Sequence, residues 1–176
     1  MPKYVDILNN RKSKVKISFI IATIICSLNS LTVVAATTYE VEEFNRATEL
    51  SSSAVQSKNY DRAFEYLETA SKLGNKISQF TIALLYIEGL GVEQDYTQAY
   101  LWLNVAAEVK DKRWRNVRDQ IHDALSEEQI AALKPLVDEY IEKYGAKAQE
   151  VSCYKRASTG SNRRLMQCTK RLTPGR

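Results

Sequence analysis

Residues 82–107 read IALLYIEGLGVEQDYTQAYLWLNVAA, and this stretch decides the fold. Two amphipathic helical patterns meet there at Gly89-Leu90-Gly91, with small residues (Ala83, Ala99, Ala106, Ala107) alternating with large ones (Leu84, Leu85, Tyr86, Trp102, Leu103). Small-against-large alternation lets two helices pack closely as an antiparallel pair. Gly89 and Gly91 supply the left-handed backbone that ends the first helix, Val92 packs the turn, and Asp95 can accept the orphan amides that open the second. The stretch is therefore a helical hairpin.

A hairpin that repeats should recur at a constant period, and it does. Tyr60 and Tyr96, Ala63 and Ala99, Leu67 and Leu103, and Ala70 and Ala106 are each 36 apart; Tyr66 answers Trp102 and Ala47 answers Ala83. The earlier copy lacks the Gly-x-Gly turn and has Ser53-Ala54-Val55 in its place. The later copy resembles a Sel1-like repeat, a relative of the tetratricopeptide repeat. Ile82, Tyr86, Gly89, Gly91, Val92, Asp95, Ala99, Trp102, Ala106 and Ala107 fall on that family's pattern, whereas Ser78 and Ala83 stand where it usually has Ala and Gly. The resemblance implies an all-α fold, an α/α superhelix of stacked antiparallel hairpins with a concave side. It also implies a non-enzymatic role in binding a protein or peptide partner. With the concave face built by the first helix of each unit, Gln79, Ile82, Arg115 and Arg118 are the expected contacts.

Working outward, residues 1–16 are basic, 17–28 are apolar, and 29–36 are more polar and end in Val34-Ala35-Ala36. This is the order of a secretory signal peptide, with cleavage expected after Ala36 or, second, after Ala35. The alternative is an uncleaved inner-membrane anchor. The expected domains are thus a signal peptide at 1–36, a helical repeat domain at 37–150 and a tail at 151–176, in a periplasmic or secreted protein. Within the repeat domain, helices are expected at about 41–54, 60–73, 76–88 and 96–109, then around 114–125, and finally from a Ser126/Gln129 capping box to Tyr144. Asn59 reads as the N-cap of the second, and Pro135 should kink the last or displace its start.

The charge is unevenly laid out. Residues 37–150 carry 13 basic and 20 acidic side chains, a net charge of −7, while residues 151–176 carry seven basic groups and no acid. Only Cys153 and Cys168 lie beyond the expected cleavage point, and two thiols in an exported chain most simply form one disulfide. The tail then reads as irregular and disulfide-closed, with Lys155, Arg156, Arg163 and Arg164 gathered to meet an anionic surface or to fold back on the acidic body. An exported location argues against nucleic acid as partner.

Chemistry has little to rest on. His122 is the sole histidine, beside Asp119 and Asp123, and no second histidine converges on it to make a metal or catalytic site. Ser152-Cys153-Tyr154-Lys155 has the S-x-x-K spacing of a lysine-activated serine, which would suit a cell-wall-directed or penicillin-binding enzyme, but the accompanying S-D-N and K-T-G elements are missing. Some disulfide-rich relatives of the Sel1-like family have been discussed as penicillin-binding; the repeats here contain no cysteine on which that could rest. No nucleotide-binding glycine motif is present, and no cofactor is expected. Tyr66, Tyr86, Tyr100 and Trp102 recur with the helices and read as core packing rather than as a stacking row.

Overall fold

The structure is a computed structural model that describes residues 38–157 and 164–171. The expected signal peptide, Cys26 within it, and Arg163 lie outside the described residues. The chain divides into a unit at Glu40–Leu172 and one made of its two ends, Met1–Tyr39 and Thr173–Arg176. Of the end unit only residues 38 and 39 are described, as the start of α1; all other described residues belong to the Glu40–Leu172 unit.

The elements are α1 (residues 38–56), α2 (Tyr60–Lys72), α3 (Lys76–Glu88), α4 (Tyr96–Ala106) continued by a 3-10 turn (Ala107–Val109), α5 (Lys112–His122), α6 (Glu127–Tyr144), β1 (Val151–Ala157) and β2 (Arg164–Lys170). Each helix from α2 onward opens on a side-chain cap. Asn59, Asn75, Asp95 and Asp111 accept backbone N–H bonds from the first turns of α2, α3, α4 and α5. Ser126 and Gln129 form the expected capping box on α6. Pro135 neither ends α6 nor delays its start, since the helix runs unbroken from Glu127 to Tyr144.

Small residues let the helices meet. Ala63, Ala83 and Ala99 are fully buried beside Leu67, Ile82, Leu85, Trp102 and Leu103, which join α2, α3 and α4 into one core. The closing helix α6 covers that core with Tyr140 and Tyr144, whose ring centroids lie 5.1 and 5.2 Å from Trp102. Phe80 of α3 stacks on Trp114 of α5 at 5.0 Å, so each hairpin packs on the next as a stacked array requires.

At the junction of α3, α4 and α6 lies a lysine with no exposure. Lys76 Nζ donates to Glu108 Oε2 at 2.5 Å, Gln79 Oε1 at 3.0 Å and the Val105 carbonyl at 3.2 Å. Gln79 in turn donates to the carbonyls of Ser71 (2.8 Å) and Tyr144 (2.9 Å). A cation thus satisfies the Val105 carbonyl near the C-terminal end of α4, where the helix dipole favours positive charge.

The described residues of the tail are not irregular. β1 and β2 pair antiparallel from Val151↔Lys170 to Ala157↔Arg164, bridged by the Cys153–Cys168 disulfide. Val151 is buried, which gives the hairpin an inner and an outer face. Among the described residues, no helix is long and apolar enough to cross a membrane.

Candidate functional site

The helices leave an open concavity of about 540 Å³. Its floor and one wall are the α1 residues Phe44, Asn45, Thr48, Glu49 and Ser52, with Ile77 from the first turn of α3; Met166, Gln167 and Cys168 of β2 close the other side. A smaller extension of about 220 Å³ runs on between α1 and α3 past Val55, Leu67 and Thr81. Asn75 holds the helices in place at this point, since its side chain caps α3 and also donates to Thr48 Oγ1 at 2.7 Å. The half-buried Ile77 and Met166 lie among hydroxyl and amide groups, a lining suited to a polypeptide.

Two of the four expected contacts are corrected by this geometry. Gln79 and Ile82 are completely buried, so neither presents a surface. The face of α3 that carries them is turned into the α2–α4–α6 core, where the Gln79 amide is consumed by backbone carbonyls; Ile77 and Thr81 face the concavity instead. Arg115 is exposed on α5, and Arg118 pairs with Asp119 at 2.5 Å; neither lines the groove.

The repeat residues sit where the helices require them. Ala70 and Ala106 are fully buried, Tyr86 meets Phe64 edge-on at 5.3 Å, and Asp95 caps α4 by accepting from Gln98 N–H at 2.9 Å. Tyr100 bonds His122 Nδ1 at 2.8 Å. Among the described residues no group of three His, Cys, Asp or Glu side chains could hold a metal ion.

The tail is docked by its charges. Lys155 Nζ lies 3.0 Å from Asp111 Oδ2, and Lys170, only 5% exposed, reaches the Gln149 carbonyl at 3.0 Å and Glu40 at 3.7 Å. Arg156 and Arg164 are exposed. Lys155 is therefore engaged with the body, the fold-back alternative of the sequence reading. Ser152 and Lys155 do not form a pair: three residues apart on a strand, they point to opposite faces, and the Ser152 hydroxyl accepts from Arg171 at 3.0 Å.

Burial pushes the Asp111 carboxyl upward, but the hydrogen bond from Lys155 and the N–H donors of Arg113 and Trp114 outweigh it and hold the group below its ordinary 3.8. A depressed carboxyl pKa stabilises the fold above the unfolded value and is lost as pH falls through the folded one. Hairpin docking is thus expected to weaken below pH 3.8, read by amide exchange of Val151 along an acid titration. Asp111→Asn should reproduce the loosening at neutral pH, at a cost of roughly 1 kcal/mol because Lys155 is half exposed and screened.

The Sel1 repeat model matches residues 53–75 and 77–111. No curated protein sequence matches the chain. Among solved structures it resembles c5321, described as a protective antigen present in uropathogenic Escherichia coli strains displaying an SLR fold, with a TM-score of 0.50 and 26% identity. That likeness covers 73% of this chain and 28% of the other, so this chain spans little more than a quarter of that protein's length. Proteins built on such repeats are generally protein-interaction modules, and no catalytic family is indicated. The matched segments coincide with the stacked hairpins and their glycine turn, so the α2–α4 region of the chain is built of Sel1 repeats.

Proposed function

We propose that this chain is an adaptor of the cell envelope that holds a protein partner in the groove between α1, the start of α3 and β2. The observation that carries the reading is the groove itself: a polar concavity with apolar patches, walled by α1 and α3, where a helical repeat protein keeps its binding surface. The envelope location is supported by the signal-like order of residues 1–36 and by the disulfide, which persists in oxidising compartments.

Ser52 is exposed and lines the groove, so Ser52→Arg fills it without touching the core. Partner captured from envelope extracts by the wild-type chain should be lost with Ser52→Arg and retained with a paired Arg115→Ala, Arg118→Ala variant. Equal capture by Ser52→Arg would remove the groove from consideration. Mass spectrometry of the exported protein should find an N-terminus near Thr37; a full-length, membrane-extracted species would establish the anchor instead.

A further inference from the structure

The β2 wall of the groove offers backbone as well as side chains. In an antiparallel ladder, hydrogen-bonded and non-hydrogen-bonded pairs alternate, and the latter bring their Cα atoms closer. The Arg171 N–H donates to the Glu150 carbonyl at 3.1 Å, which makes 150/171 a bonded position; 152/169 and 154/167 follow by alternation. Cys153 and Cys168, with Cα atoms 4.1 Å apart, occupy a non-hydrogen-bonded position, as do Lys155 and Met166. At Met166 and Cys168 the backbone N–H and C=O groups therefore point away from β1, along the open edge of β2. No backbone partner meets them among the described residues. These residues, with Gln167 between them, line the groove, and no β1 residue does.

We propose that the partner enters this groove as an extended strand and adds to the free edge of β2 as a third strand. The inference rests on the groove reading and specifies the form the partner takes there. An open strand edge needs alternating donors and acceptors, which an extended peptide supplies and a helix, with its amides already bonded internally, does not. Side chains on one face of that strand meet the half-buried Ile77 and Met166, so small apolar residues fit at alternate positions. Among the described residues Glu49 is the only charged one lining the groove, is exposed and has no ion-pair partner, so a Lys or Arg on the strand complements it.

A heptapeptide library displayed on phage, panned on the full-length oxidised chain and counter-panned on Ser52→Arg, supplies the probe. Enriched peptides should alternate apolar residues and carry a Lys or Arg, and Glu49→Lys should weaken them about tenfold. The deciding arm uses synthetic copies N-methylated at alternate amides. Methylating the set that faces β2 should cost at least about tenfold in affinity, and methylating the other set should cost little. If neither set matters, or both matter equally, while Ser52→Arg still abolishes binding, the strand mode is wrong and the groove stands. If no peptide survives counter-panning, the strand mode and the groove as a peptide site fall together.

Discussion

Gly91→Ala is expected to destabilise the fold by about 3 kcal/mol or more, whereas Gly89→Ala, two residues away, should cost only about 1 kcal/mol. Both glycines have left-handed backbone, with φ of 66° at Gly89 and 67° at Gly91, so both substitutions meet the same intrinsic strain. Their surroundings differ. A Cβ on Gly89 would find Gln94 at 3.5 Å, an ordinary contact, but a Cβ on Gly91 would lie 2.3 Å from the carbonyl carbon and oxygen of Tyr60 and 2.7 Å from Asp61 N. Those atoms are backbone at the start of α2 and cannot turn aside. Gly91 is therefore the point where the turn of the second hairpin presses against the first. Urea denaturation of the two variants should give midpoints separated accordingly; equal midpoints would mean that the hairpins do not stack as described.

The second large effect is expected at Lys76. Lys76→Ala should cost about 3 kcal/mol, near a 10 °C loss of melting temperature, because it leaves Gln79, the Val105 carbonyl and the Glu108 carboxylate without their shared donor. Burial pushes the lysine pKa down, and the hydrogen bond and charge of Glu108 oppose that without cancelling it. A depressed lysine sheds its proton in the folded chain before the unfolded one does, so this residue makes stability rise with pH on approach to 10.5. A shape-preserving control separates charge from packing. Lys76→Met combined with Glu108→Gln should be less harmful than Lys76→Met alone. The junction is then neutral, and an amide oxygen in place of the carboxylate can still accept from the Ala146 N–H, which Glu108 meets at 2.9 Å. A double variant worse than the single would show that the ion pair is not what the junction needs.

These two sites also mark what the sequence discloses and what it conceals. Gly89, Gly91 and Asp95 announce their roles locally, because a left-handed turn and a helix cap each need a particular residue type at a fixed place. The hairpin at 82–107, the degraded copy before it and the capping box at Ser126 are legible for that reason. Lys76 and Gln79 are not. A lysine and a glutamine at a helix start read as solvated, and only the carbonyl ends of α4 and α6, brought in from 29 and 65 residues away, give them reason to be buried. Ile82 misleads together with Gln79 because the outward stripe of α3 lies elsewhere, at Ile77 and Thr81.

Asp111 is hidden similarly, as the cap of α5 and as the anchor for Lys155 across 44 positions of sequence. The tail conceals a strand pattern because it is rich in charge and poor in apolar content; the inner face announces itself only through Val151, Cys153, Cys168 and Met166 once the register is known. The groove has no sequence signature at all, being a space left between α1, α3 and a hairpin that arrives about a hundred residues later.

Hydrogen exchange of the full-length oxidised chain, with and without its captured partner, tests the central claim most directly. Binding in the groove predicts slowed exchange in residues 45–56 of α1, around Ile77, and at Met166 to Cys168 of β2, with α5 and the outer face of α6 unchanged. Protection centred on α5 near Arg115 and Arg118, with the α1 and β2 amides exchanging as in the free protein, would contradict it.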